Sequence, residues 1–277
     1  MTYTRLAVTP SAPGRRDAVS AALFAAGAEG LVEEGLAFVT VFADDGAART
    51  AERAARAADD AATTACSALM SIDYTSEWRA NVRAHTVGGL VIAPPWLAGE
   101  SDLAKTVVID PGLGFGTGEH ETTRGALALL QDVIRPGDRV ADVGCGSAVL
   151  AIAAARLGAA RVTALEIDAQ SIGNAEENVV RNGVGACVTV VEGDATTLLP
   201  LVGPVRVIAA NIIASVLVSL LPAFDAALAP HGDVVVGGVL RDERDAFARD
   251  LASAGWRVVR DLTDGEWWSA HVRRAAE

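Results

Sequence analysis

From residue 139 onward, short runs of β-branched and apolar residues alternate with helix-length segments, and this alternation constrains the fold more than any other feature. The runs are 139–143, 161–167, 188–192, 205–211 and 233–237, and residues 148–157, 169–182, 215–229 and 242–254 read as helices between them. Strands that are apolar on both faces and separated by helices predict a parallel sheet covered on both sides. The end of the chain differs. Residues 256–261 and 267–273 read as two strands joined through Thr263-Asp264-Gly265, a hairpin signal. The expected fold class is α/β, a Rossmann-like doubly wound sheet closed by an antiparallel hairpin.

A chain of 277 residues has room for about two domains. Residues 1–70 read as strand (5–8, at a sheet edge), helix (15–26), strand (36–42) and Ala-rich helix (47–62). That order predicts a small α+β domain of the open-faced, ferredoxin-like type. It holds no catalytic constellation, and recognition is its expected role. Residues 71–105 form a connector carrying Tyr74, Trp78, Trp96 and Pro94-Pro95, whose aromatics are expected to pack between domains. The larger domain spans 106–277. Residues 207–224 carry no charge and reach the length of a membrane span. Asn211, Ser215, Ser219 and Pro222 interrupt the run, so a buried strand leading into a helix is expected instead.

The formal net charge is −12, from 23 Lys+Arg against 35 Asp+Glu. A general nucleic-acid binder needs a basic face, so direct nucleic-acid binding is not expected. An acidic surface draws in basic partners, which leaves a basic protein as a candidate. Cys66, Cys145 and Cys187 are an odd set without framework spacing and read as reduced thiols, hence a cytoplasmic chain. Residues 1–5 lack a charged region leading into an apolar one, so no signal peptide is expected.

The candidate chemistry lies at the carboxyl ends of the strands, where open α/β sheets bind ligands. Asp142-Val143-Gly144-Cys145-Gly146-Ser147-Ala148 ends one strand and opens a helix. A dinucleotide fingerprint needs a third glycine at position 149, which is Val149. The pattern is instead an acid followed by glycines at alternate positions, Asp142, Gly144 and Gly146. Glu166 ends the next strand and can accept from both ribose hydroxyls of a nucleoside. Asp168, two residues on, is a candidate cap for the following helix. Asp194 stands where it can accept from an adenine amino group, or simply belongs to a turn. Asn211, after the fourth strand, faces the same crevice, with capping of the helix from Ser215 as its alternative role. Residues 110–123 hold four glycines within seven positions, a loop able to embrace an anion or cofactor. In it Phe115 can cover an adenine or a methionine chain, Gly116 is one of the four glycines, and Thr122 and Thr123 can reach a cofactor carboxylate. His120 is a lone histidine with no second ligand at metal spacing, so no metal is expected.

Four stretches together resemble the bacterial ribosomal protein L11 methyltransferases: 110–123, 142–147, 166–168 and 211–214. Glu77-Trp78, the 92–96 segment and Gly265-Glu266-Trp267 fit as well. The resemblance implies a seven-stranded class I methyltransferase domain with S-adenosylmethionine as donor. It implies that Thr123, Gly144, Glu166 and Asn211 contact that donor. It also implies methyl transfer to amino groups, on lysines and at the N-terminus, of a ribosomal protein, with Asn211 as the catalytic residue. A related lysine methyltransferase acting on another protein, or a small-molecule amine methyltransferase, would use the same site.

Overall fold

The computed structural model describes residues 3–28, 30–69, 82–100, 104–110 and 120–276. The chain divides into two compact units, Met1–Asn81 and Val82–Glu277. The segment read as a connector is thus divided, and its residues from 82 onward belong to the second unit.

The first unit runs β1 (Tyr3–Thr9), α1 (Arg16–Ala25), β2 (Val32–Glu34), β3 (Ala37–Phe42), α2 (Asp45–Ala58), β4 (Thr63–Leu69). Its sheet is antiparallel throughout, in the order β2-β3-β1-β4. Residues 5–8 were expected at a sheet edge, but β1 lies between β3 and β4. The partner that covers it, Thr-Thr-Ala-Cys-Ser-Ala-Leu, is made of small residues and carries little strand signal of its own. On α2, Ala48, Ala51 and Ala55 are fully buried at three- and four-residue spacing. These small side chains let the helix lie close to Leu6, Val8, Phe38 and Phe42 in one core. Asp44 starts α2 by accepting from Ala47 N at 2.8 Å.

The second unit opens with β5 (His85–Val87), β6 (Leu90–Ala93) and β7 (Thr106–Val108), a three-stranded sheet in that order. There follow α3 (Glu121–Val133), β8 (Arg139–Val143), α4 (Val149–Arg156), β9 (Arg161–Glu166), α5 (Ala169–Arg181) and β10 (Val188–Glu192). The chain continues through α6 (Ala195–Val202), β11 (Val205–Asn211), α7 (Ala214–Ala227), β12 (Leu228–Leu240), α8 (Arg244–Ser253), β13 (Trp256–Asp264) and β14 (Trp267–Arg274). The seven-stranded sheet has the order β10-β9-β8-β11-β12-β14-β13. Strands β10 to β12 are parallel, and β14 is antiparallel to both β12 and β13. One apolar layer packs Leu127, Leu130, Leu150, Ile152 and Val179 on one face. A second packs Leu217, Leu221, Phe224, Phe247 and Trp268 on the other. The uncharged 207–224 stretch is β11 running into α7, and among the described residues no helix is long and apolar enough to cross a membrane.

Strand order reverses between β8 and β11, so the crevice for a ligand opens at the carboxyl ends of these two strands. The opposite end is fastened by charge. Asp233, 1% exposed, lies 2.7 Å from His271 Nε2 and also accepts from Arg273 and Arg206. Arg206 reaches on to Asp138 and to the Val133 carbonyl.

Candidate active site

The crevice is a cavity of about 850 Å³. Asp142, Gly144, Gly146, Glu166, Asp194 and Asn211 line it together, with Thr122, Ile212 and Trp267. Phe115 and Gly116 lie outside the described residues, as do Tyr74 and Trp78. Trp96 is 37% exposed.

The turn after β8 is shaped by glycine. Gly144 has φ +67°, which an L side chain adopts only at a cost of about 1–2 kcal/mol. A Cβ there would also come within 2.6 Å of Ile212 Cγ2. Position 144 therefore holds the β8 turn against the chain leaving β11. Asp142 is buried and accepts from Ala151 N at 2.8 Å, pinning the start of α4 to the end of β8. Burial pushes its carboxyl up to about 7; the Ala151 amide opposes this and the Glu166 charge adds to it. Burial also pushes the neighbouring Cys145 thiol up, which keeps it un-ionised.

Glu166 does more for its own neighbourhood than the sequence indicates. One carboxylate oxygen accepts from Ile167 N and Asp168 N at 2.9 and 3.0 Å. The other accepts from Gly146 N at 2.8 Å, bridging β9 to the glycine turn. A carboxylate has about four acceptor positions. Three are used by the backbone, so about one is left for a ligand. Asp168 caps α5, accepting from Gln170 N and from the Ser171 hydroxyl. Asp194 caps α6 through Thr196 N at 2.8 Å and is still exposed at the cavity wall.

Asn211 does not cap α7, whose N-cap is Ile213 with no side-chain bond. Its Nδ2 lies 3.3 Å from Thr122 Oγ1 and 3.4 Å from Thr123 Oγ1. Its Oδ1 is fully buried and has no hydrogen-bond partner among the described residues. The register places Gly237 beside Asn211, and a Cβ at 237 would stand 2.8 Å from that oxygen. Thr123 is fully buried behind the wall and is not among the described lining residues, whereas Thr122 lines the cavity. His120 caps α3: its Nδ1 accepts from Thr122 N and lies 2.9 Å from Thr122 Oγ1. Its ring meets Trp267 edge-on at 5.2 Å.

Sequence reasoning missed three asparagines, Asn174 and Asn178 of α5 and Asn182 at its C-cap. Asn182 accepts from Val108 N at 2.8 Å and donates to Val108 O at 2.6 Å. Asn178, fully buried, accepts from Asp110 N at 2.9 Å and donates to Asp110 O and Ser147 O at 3.3 and 3.2 Å. Asn174 also donates to Asp110 O. These amides pair the outer edge of β7 as a neighbouring strand would. They join the start of the glycine-rich segment to the glycine turn. Their four-residue spacing was the available signal.

The cavity suits a cationic nucleoside. Its size lies in the usual range for a small-molecule site. Asp142, Glu166, Asp168 and Asp194 line it, and no Lys or Arg is found among the described lining residues. A sulfonium-bearing adenosine donor carries the complementary charge.

The sheet order, with an acid–glycine turn and a carboxylate on the next strand, defines a class I methyltransferase that uses S-adenosylmethionine. The sequence profile of the ribosomal protein L11 methyltransferase family matches residues 17–275. A relative of that description from Thermus thermophilus is 38% identical over 195 residues, 70% of this chain and 75% of that protein. One from Synechococcus is 37% identical over 208 residues, 73% of this chain and 69% of that protein. The crystal structure of a ribosomal protein L11 methylase from Lactobacillus delbrueckii subsp. bulgaricus superposes with a TM-score of 0.63 at 30% identity. It covers 70% of this chain and 99% of that one. The chain belongs to the ribosomal protein L11 methyltransferase family.

Proposed function

We propose that this enzyme methylates amino groups of ribosomal protein L11, on lysine side chains and at the N-terminus, in the cytoplasm. The names of its relatives support the protein target. The observation that carries the amino-group reading is Asn211, a cavity-wall residue with its amide nitrogen held by two threonine hydroxyls and its buried oxygen unpartnered. A buried acceptor without a donor costs about 1–3 kcal/mol. A rotation of the side-chain amide that brings this oxygen to the wall lets an amine N–H relieve that cost and be oriented by it.

When bound, S-adenosylmethionine supplies an electrophilic methyl group on a positive sulfur. In this reading the glycines at 144 and 146 admit the donor, Glu166 takes one ribose hydroxyl with its remaining acceptor position, and Asp194 faces the adenine. Phe115 and Gly116 belong to the donor side of the same reading, and Thr123, buried behind the wall, serves it through its hydrogen bond with Asn211. The amine must be neutral to react, yet a free lysine has a pKa of about 10.4. Ile212, Ile213, Val216 and Trp267 line the wall around Asn211 and keep water from the ammonium, favouring its neutral form. Alignment of two bound reactants can supply about 7–11 kcal/mol of the barrier, so a strong base is not required. The first unit is assigned to holding the target, and the net charge of −12 suits a basic ribosomal protein.

The test is intact-mass measurement of purified L11 after incubation with this protein and S-adenosylmethionine. Gains in whole methyl units that require the donor, mapped to lysines and the N-terminus by fragmentation, are expected. Gains on other residue types would refute the amino-group assignment, and no gain would move the target elsewhere. Deleting residues 1–70 separates a protein target from a small-molecule amine: retained L11 methylation would argue against a recognition role for the first unit.

A further inference from the structure

The hairpin β13–β14 brings Trp267 to the cavity, and its tip is fastened to the first turn of α3. Arg124 Nε and Nη2 both donate to Asp264 Oδ2, at 2.9 and 2.7 Å, across 140 residues of sequence. Asp264 and Trp267 are cross-strand partners on either side of the turn. Fixing one therefore sets the height of the other. The same turn of α3 presents Thr122 to the cavity, and His120 beside it meets the Trp267 ring edge-on. Glu121 closes the group, 3.7 Å from Arg124 Nη2. The Glu266 carbonyl accepts from Arg241 N at 2.7 Å and steadies the far side of the turn.

We propose that Arg124 is a positioning residue for the cavity. Through Asp264 it holds Trp267 and the Thr122 turn as two walls at one separation. The inference rests on the donor-site reading above. It does not rest on stability, because the two side chains are 31% and 45% exposed and such a pair contributes about 0–1 kcal/mol to folding. An internal control is available. Arg260 of β13 and Asp132 near the other end of α3 form an ion pair between the same two elements, away from the cavity. If ion pairing merely glued the hairpin to α3, the two pairs would be interchangeable.

The experiment measures the Kd of S-adenosylhomocysteine by calorimetry on the full chain, with urea midpoints alongside. Arg124→Gln and Asp264→Asn are expected to raise Kd about tenfold with unchanged midpoints. Arg124→Lys keeps a charge within reach of Asp264 and is expected to stay within about threefold of the parent. Asp132→Asn is expected to leave Kd unchanged. An unchanged Kd in Arg124→Gln or in Asp264→Asn would overturn the proposal. So would a loss in Asp132→Asn of equal size, or a midpoint shift that parallels the loss of binding. If the parent protein binds S-adenosylhomocysteine but does not modify L11, the target reading fails and the Kd values still decide the role of Arg124. If the parent does not bind it, the donor-site reading and the positioning role fall together.

Discussion

Replacing Asn211 by alanine separates function from folding more sharply than any other single change at the site. Folding loses two long hydrogen bonds, 3.3 and 3.4 Å, between neutral groups. At such lengths each contributes at the low end of the usual 0.5–1.5 kcal/mol, about 1 kcal/mol for the pair. The substitution also removes a buried oxygen without a partner, returning about 1–3 kcal/mol. A small cavity and two freed threonine hydroxyls offset part of that gain. The expected change in stability is therefore within about 1 kcal/mol of zero. Turnover behaves differently. Losing one oriented polar group where the reaction occurs typically costs about 10²–10³ in kcat. The assay pairs urea unfolding with initial methylation rates on L11 at saturating donor. A loss of stability above about 2 kcal/mol would refute the reasoning, because it would mean that the Asn211 amide is structural. A rate within threefold of the parent would refute it from the other side.

Three further outcomes follow from geometry already described. Asp233→Asn should cost about 3–5 kcal/mol by urea unfolding, since Arg206 and Arg273 would lose a buried counter-charge. Burial pushes the Asp233 carboxyl up, but hydrogen bonds from His271, Arg273 and Arg206 outweigh it and hold the group well below the usual carboxylate range. Its contribution is therefore present above about pH 4 and is lost as pH falls towards the folded value, so the variant should show a shallower acid transition. Asp142 has the opposite sign. Its carboxyl, raised to about 7, favours folding when protonated, and that contribution declines as pH rises from about 4 to 7. A cationic donor favours the carboxylate, so S-adenosylmethionine affinity by calorimetry should rise between pH 6 and 8, and Asp142→Asn should flatten the rise. Asn178→Leu strands Asp110 N and removes the donor to Ser147 O, and should cost about 1–3 kcal/mol while weakening S-adenosylhomocysteine binding. Unchanged binding would show that the amide serves the fold alone.

The central parallel strands were legible because burial on both faces writes a largely apolar run, and the edge strand β10, only partly buried, because its β-branched residues stand between two helices. Residues 139–143, 188–192 and 205–211 match β8, β10 and β11 residue for residue. What stayed hidden depends on partners distant in sequence. The interior place of β1 is decided by β4, sixty residues away and poor in strand formers. Strand β12 begins at Leu228, ahead of the run read from 233. Helix α6 carries Pro200, which masks a short helix that Asp194 initiates. At the site, the acid, the glycines and Asn211 were legible from their places at strand ends. The three backbone bonds of Glu166 were not, because they depend on how closely two turns approach. The Arg124–Asp264 pair has no local signature at all.

The asparagine ladder measures distance by a mismatch. Four residues of helix advance about 6.0 Å, and two residues of strand about 6.6 Å. Asn182 meets Val108 and Asn178 meets Asp110, so each rung slips by about 0.6 Å, like two rulers of unequal graduation. Two rungs tolerate this slip. A third would fall on position 112, and Asn174 turns back to share the Asp110 carbonyl with Asn178 instead. The ladder thus has a built-in length. The pitch of α5 fixes the point, residue 110, up to which the ladder holds the chain as an extra strand. A residue inserted anywhere between 178 and 182 would move that point.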